Sequence, residues 1–395
     1  MDRQNFCVLP FTTMYVEDNR VRLCCESEEE REKHITPTNT ITDIWYSDFY
    51  KDIRQQMLDG VSLPDACRIC KMYEDVGEES KRYWDNHQYN KFIGDINDFQ
   101  TTEPPLPSNF DIRPSNKCNL ECVMCDGIQS SAISERVSAY NKSNFIINKG
   151  YGLWKKHKPI IDYVKEHSDK IRILKLDGGE PFLLPEVLEI IDHLVQTGDA
   201  KHIRLSFITN GTVVRGRWFR DKLVHFEDVK IVVSLDAVGE VLNYVRYPAK
   251  WSVVDKNIRM FKDICEAHKN IRLNLDPVAH LLNTMHLHEV FEYAKQVGVR
   301  INLTPVYQVN GEEYLHTKLL TDELREQAYN KLKPLVNQVE FGAGQGFIED
   351  LRNQEYDPDA KQIRLLNDSI EYWDSHRATK FEELYPYLKY LLTNK

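Results

Sequence analysis

Two hydrophobic rhythms alternate along the middle of the chain. Short runs at 110–114, 171–176, 203–208, 229–233, 271–275 and 301–304 have the length and apolar content of strands. Between several of them lie longer stretches with apolar residues three and four apart. Val187, Ile190, Ile191 and Leu194 predict a helix over 184–196, and similar spacing predicts helices over 251–268 and 286–297. Strands alternating with helices predict a parallel sheet with crossover helices, an α/β fold.

The flanks read differently. Met14-Tyr15-Val16 and Val21-Arg22-Leu23 enclose Glu17-Asp18-Asn19-Arg20, a hairpin with Asp-Asn as turn formers. A helix follows, with Phe49, Ile53 and Met57 expected on one face. Prolines in Thr101-Thr102-Glu103-Pro104-Pro105-Leu106-Pro107 block regular structure and place a linker at 94–109. From about position 322 the chain reads as helices, including 379–392 with Tyr385, Leu388 and Leu392 near one face. A looser glycine-rich stretch at 341–346 follows no strand and is not read as a nucleotide loop. The acidic run at 26–32 reads as a solvated segment.

The 395 residues suffice for a barrel and a smaller domain, and the formal charge of −10 offers no electrostatic case for nucleic acid. No apolar run approaches a membrane span, and the start lacks a signal peptide's basic and apolar regions. Nine cysteines in a secreted chain would mean disulfides. All but Cys265 fall into two ligand-like groups, so a reducing cytoplasm is expected. Cys265 reads as a buried helix residue.

One group is Cys118-Asn119-Leu120-Glu121-Cys122-Val123-Met124-Cys125, a C-x3-C-x2-C loop directly after the first strand. Three thiolates on one short loop are poor disulfide partners and good ligands for soft iron, with zinc the alternative. The second strand runs into Asp177-Gly178-Gly179-Glu180-Pro181, the third into Thr209-Asn210-Gly211-Thr212, and the fourth into Ser234-Leu235-Asp236. Arg246 stands twelve residues beyond Ser234.

These motifs, in this order, resemble the radical S-adenosylmethionine (radical SAM) superfamily. Met124 stands where that family usually has an aromatic residue. The resemblance covers about half the chain and implies a partial (β/α)6, TIM-like barrel. It implies a [4Fe-4S] cluster on Cys118, Cys122 and Cys125, whose fourth iron chelates S-adenosylmethionine (SAM). One electron then yields a 5′-deoxyadenosyl radical. Gly178, Gly179 and Glu180 would bind the methionine amino group. Thr209 and Asn210, with Ser234, Asp236 and Arg246, would bind the rest of the cofactor. A small reducing protein such as a flavodoxin or ferredoxin is the implied partner.

The second group is Cys7, Cys24 or Cys25, Cys67 and Cys70. Four thiolates could hold zinc or an iron–sulfur cluster, and spacing does not separate them. The arrangement resembles the twitch or SPASM auxiliary-cluster domain, whose usual place is after the barrel and which here comes first, an order that can still dock on the barrel mouth. The expected organisation is therefore an auxiliary-cluster domain at 1–93, a linker at 94–109, the barrel at 110–310 and a helical extension at 311–395. The expected function is hydrogen abstraction from a peptide or small molecule, in an oxidoreductase-like enzyme or a maturase. A radical SAM methylase with structural N-terminal cysteines, or a zinc-stabilised binding protein, is the alternative. Asn274, Asp276, His280, Asn302, Thr304 and Tyr307 are substrate-facing candidates, His280 as a proton carrier near neutral pH. No catalytic acid, base or hydrogen donor is assigned.

Overall fold

The computed structural model describes residues 5–27, 33–75, 79–139, 153–306, 313–338, 343–356 and 359–392. Tyr307, most of the acidic run and the start of the glycine-rich stretch lie outside them. The strands are β1 (Thr13–Glu17), β2 (Arg20–Arg22), β3 (Lys33–His34), β4 (Asn109–Arg113), β5 (Glu121–Cys122), β6 (Ile173–Leu176), β7 (Arg204–Thr209), β8 (Asp228–Val233), β9 (Arg246–Tyr247), β10 (Ile271–Leu275), β11 (Val278–Ala279), β12 (Arg300–Ile301) and β13 (Thr304–Pro305). The fold is α/β on mostly parallel strands, an open and partial version of the expected barrel.

The chain divides into two compact units. One comprises Met1–Ser115, Trp154–Ser206 and His225–Asp228; the other comprises Asn116–Leu153, Phe207–Val224 and Val229–Lys395. These units do not follow the expected boundaries along the chain, because the N-terminal hairpin joins the sheet.

In the first unit the strand order is β6-β4-β1-β2-β3. β1 lies parallel to β4 in a register running from Thr13 opposite Asn109 to Glu17 opposite Arg113. β4 is likewise parallel to β6, while β2 returns antiparallel to β1 through Asp18, which adopts φ 56°. The proline-rich segment is strapped down in this unit. Trp45 Nε1 donates to Pro105 O (3.0 Å), Tyr46 Oη to Pro104 O (3.0 Å), and Arg54 Nη1 to Thr102 O (3.0 Å). The helix Asp48–Asp59 buries Tyr50, Ile53, Arg54 and Met57, so Tyr50 takes the place expected for Phe49. Fully buried Arg54 makes this face workable, since its donors reach Pro10 O and Trp45 O and its guanidinium lies over the Trp45 ring.

In the second unit β12, β10 and β8 run parallel, with Ile271 opposite Val229 and Asn274 opposite Arg300. The helix Trp251–Ala267 buries Val254, Ile258, Phe261 and Ile264, the stripe its spacing predicts. The last expected strand is broken into β12 and β13. The expected helix at 379–392 is also broken: Phe381–Leu384 is helical, then Pro386 opens a 3-10 turn to Leu391. Three residues per turn align Tyr385, Leu388 and Leu391, so Leu391 and not Leu392 enters the core. Among the described residues no helix is long and apolar enough to cross a membrane.

Candidate functional site

The cysteine loop belongs to the second unit. β5 places Glu121 and Cys122 inside the loop and pairs antiparallel with β9, Cys122 opposite Arg246 and Glu121 opposite Tyr247. Val123 N donates to Val245 O (2.9 Å) and Cys125 N to Cys122 O (3.1 Å), which closes the turn. Cys122 is buried, and Arg246 Nη1 lies 3.9 Å from its sulfur. A hydrogen bond from the Cys125 thiol, with the Arg246 cation beside it, holds Cys122 below the ordinary thiol range. Burial opposes the charge of Arg246. Asp236 and the Cys122 thiol outweigh that cost and keep it protonated, with Asp236 Oδ2 2.5 Å from Arg246 Nε.

Asn210 is tied to the cysteine loop. Its amide donates to Asn119 Oδ1 (3.0 Å) and reaches Cys118 Sγ (3.9 Å), while its Oδ1 accepts from Thr212 N and Thr212 Oγ1. Thr209 Oγ1 accepts from Gly211 N, and Thr209 O from Ser234 N (3.0 Å). The Thr-Asn-Gly turn thus orients the thiolate loop. Asp236 is equally committed, to Arg246 and, through Oδ1, to Val278 N (2.8 Å).

Sequence reasoning missed the clamp on Glu121. Both oxygens of this buried carboxylate accept from Arg136 Nε (2.7 Å), Oε2 also accepts from Tyr372 Oη (3.5 Å), and Oε2 lies 3.2 Å from His376 Nε2. Arg377 donates to Glu121 O (2.8 Å) and Tyr244 O (2.6 Å) and lies over the rings of Tyr244, Tyr247 and Trp373. The helix Ala360–His376 and the residue after it therefore hold the cysteine loop, and no local pattern near 121 announces partners so far along the chain.

Asp276 follows β10 and accepts from Asn302 Nδ2 (3.2 Å) and Thr304 Oγ1 (3.3 Å). Burial, then the nearby Asp236, push its carboxyl up to about 6, against the pull of Lys230 and the two hydrogen bonds. A raised folded-state value means that ionisation penalises the fold. Stability that depends on Asp276 is complete below its unfolded value and falls as pH rises through about 6. Denaturant unfolding at pH 4 and pH 7 should therefore show the wild type losing stability relative to Asp276→Asn. Parallel pH profiles would refute this assignment. His280 is wholly buried, and burial lowers its imidazole to about 4. It is neutral at pH 7, which favours the structural reading of this histidine over the proton carrier. Asn274 is buried near the end of β10.

The first unit carries the other motifs. Gly178 adopts φ 125°, and a Cβ there would stand 2.6 Å from Ser115 O. Gly179 N donates to that same carbonyl (3.1 Å). The glycine pair thus packs the turn closely against the chain leaving β4, where a side chain at Gly178 would not fit. Glu180 is wholly buried, and its Oε1 accepts from Phe182 N (3.4 Å).

Three parallel strands of this unit present charge in register. Tyr15, Asp111 and Lys175 form one row across β1, β4 and β6. Glu17, Arg113 and Asp177 follow two residues on, so they share the same face. Lys175 Nζ bonds Asp111 Oδ2 (2.9 Å) and Asp177 Oδ2 (3.1 Å), and Arg113 Nε bonds Asp177 Oδ1 (3.0 Å). Asp111 Oδ1 is buried without a hydrogen-bond partner among the described residues. The polar residues at every second position were a readable signal, but only the strand register joins them.

Cys7 and Cys70 are buried, Cys24 and Cys67 half-buried and Cys25 exposed. Burial pushes the Cys7 thiol up, and the charges of Cys67 and Cys70 add to it; Cys24 feels Cys25, Lys81 and Cys7. Lys81, Lys175 and Asp111 act on Cys25. Because β2 returns antiparallel to β1, Cys24 lies beyond the start of β1, whereas Gly178 follows the end of β6, parallel to it.

All nine cysteines are free thiols. Among the described residues no three His, Cys, Asp or Glu side chains are already drawn into metal-binding geometry, the Cys118–Cys122–Cys125 loop included. The donor chemistry of that loop nonetheless suits iron: three thiols on one pinned turn, one held toward thiolate by a buried cation.

Comparison with known proteins gives these residues a family. The family model for the radical SAM superfamily matches residues 112–276. The probable GTP 3′,8-cyclase of Methanocaldococcus jannaschii is 23% identical over 275 residues, 64% of this chain and 80% of that protein. Among solved structures, native anSMEcpe with bound AdoMet has a TM-score of 0.41 at 20% identity, over 61% of this chain and 60% of that one. The chain thus spans under two thirds of that enzyme's length. Streptococcus suis SuiB bound to precursor peptide SuiA has a TM-score of 0.40 at 14% identity, over 90% of this chain and 73% of that one. Residues 112–276, with the three-cysteine loop and the Gly178-Gly179-Glu180 turn among them, are a radical SAM superfamily domain.

Proposed function

We propose that this chain is an enzyme that cleaves SAM reductively and uses the resulting radical to take hydrogen from a peptide or small molecule. The observation that carries the proposal is the pinned loop of Cys118, Cys122 and Cys125 with the Arg246 cation at Cys122. Held by those thiolates, a [4Fe-4S] cluster supplies the electron that breaks a carbon–sulfur bond of SAM. The chain's residues bind and orient. Buried Glu180 is the proposed acceptor for the methionine ammonium. Ser234, with Arg246 held by Asp236, is the proposed partner of the remaining polar groups of SAM. Thr209 and Asn210 are proposed partners of the cofactor as well, on a turn that also orients the thiolate loop. A flavodoxin or ferredoxin is the proposed reductant.

Cys7, Cys24, Cys67 and Cys70 are the proposed ligands of an auxiliary iron–sulfur cluster. Cys24 is favoured over Cys25 because Cys7 acts on it, while Cys25 is exposed among lysines and a carboxylate. The charged rows of β1, β4 and β6 are the proposed wall for a polar substrate, with Asp111 Oδ1 as an acceptor for its N–H or ammonium group. Metal analysis after anaerobic reconstitution tests the ligand assignment. Roughly eight irons per chain are expected, falling to about half in Cys67→Ala/Cys70→Ala. One cluster's iron with stoichiometric zinc that disappears in this variant would instead make the N-terminal site a structural zinc site.

A further inference from the structure

His280 is built to present a single hydrogen-bond donor. Its backbone N–H donates to Asn283 Oδ1 (2.8 Å), and its carbonyl accepts from Thr284 Oγ1 (2.8 Å) and Thr284 N (3.0 Å). Asn283 in turn donates from Nδ2 to Asp236 O (2.9 Å) and Val278 O (2.8 Å). The ring is fixed as well, because Nδ1 accepts from Leu282 N (3.1 Å). A neutral ring that accepts at Nδ1 carries its proton on Nε2. That Nε2–H is buried and has no hydrogen-bond partner among the described residues. A buried donor left unpaired costs about 1–3 kcal/mol. A loop that spends every other polar group of the residue on holding it in place thus leaves one donor unspent.

Its surroundings say what it awaits. Asp236 and Arg246 are the charged groups that act on the ring. Asp236 follows β8 and also fixes the His280 loop through Val278 and Asn283. Arg246 joins Asp236 to the sulfur of Cys122. Through Asn283, Asp236 and Arg246, the His280 loop past the end of β10 is thus linked to Cys122, a proposed cluster ligand. Burial keeps the ring neutral at pH 7, so it serves as a fixed donor and not as a switch.

We propose that His280 is a SAM-binding residue whose Nε2–H donates to an acceptor of the bound cofactor. This rests on the reading of the chain as a SAM-cleaving enzyme. The acceptor class is shared by the methionine carboxylate and by the adenosine oxygens and ring nitrogens.

The test is SAM affinity, measured anaerobically by equilibrium dialysis on reconstituted protein. His280→Asn keeps an acceptor where Nδ1 stands and removes the donor at Nε2. His280→Gln carries an amide donor out to the Nε2 position. The expected order is wild type and His280→Gln alike, with His280→Asn about five- to tenfold weaker, the worth of one hydrogen bond. His280→Met, which fills the site without a donor, replaces His280→Asn if melting shows the latter to be unfolded. Dialysis against methionine alone and against 5′-deoxyadenosine assigns the contact to one half of the cofactor. A donor-less, folded variant that binds SAM within twofold of the wild type overturns the proposal. Wild-type protein that binds no SAM at all overturns the underlying reading instead.

Discussion

Replacing Cys118, Cys122 and Cys125 together with alanine is expected to abolish SAM cleavage and to remove about half of the protein's iron. The effect is this large because the three sulfurs sit on one turn, and no other described cysteine lies in that loop to substitute for them. The variant should stay folded. The loop's backbone is pinned independently of its sulfurs, by Val123 to Val245, by Ser130 Oγ to Leu120 O (2.6 Å) and by Asn119 Nδ2 to Thr212 Oγ1 (2.9 Å). Circular dichroism, iron content and 5′-deoxyadenosine yield should be read on the same sample. Retained cleavage in the triple variant would remove this loop from the chemistry.

The second large effect is structural. Arg377→Ala should destabilise the protein by about 3 kcal/mol, because two buried carbonyls lose their donor at a cost of roughly 1–3 kcal/mol each. Those carbonyls belong to Glu121, inside the cysteine loop, and to Tyr244, just before β9. The variant should also load iron less completely, since the strand carrying Cys122 loses its clamp. Arg377→Lys should not restore stability: one ammonium cannot serve two separated carbonyls and three aromatic faces as the planar fork does. Urea unfolding measures the loss. A shift of under 0.5 kcal/mol would show that the clamp is ornamental.

The contrast between these two predictions shows what a chain reveals before it folds. The cysteine loop, the Gly-Gly-Glu turn and the strands before them were legible, because each is a local pattern whose spacing is its function. The parallel order followed from strand and helix alternation. The clamp was not legible, since Glu121 looks like any polar residue between two cysteines until Arg136, His376 and Arg377 arrive from elsewhere in the second unit. The placement of β1 was hidden for a related reason. A short hairpin predicts its own antiparallel partner, but nothing local predicts that its first strand also lies parallel to β4. The motif at Asn210 pointed to the cofactor, and only the fold shows that its amide also reaches Cys118 and Asn119. For His280 the chain left a proton carrier and a structural histidine both open, because burial, which sets its charge, is a property of the fold.

The central claim concerns one reaction, and one measurement addresses it most directly. Anaerobically reconstituted wild-type protein is reduced and incubated with SAM, without any substrate, and 5′-deoxyadenosine is quantified beside iron content. The account predicts slow release of 5′-deoxyadenosine together with methionine, absent from the triple cysteine variant. Fully iron-loaded, reduced protein that releases none would contradict it.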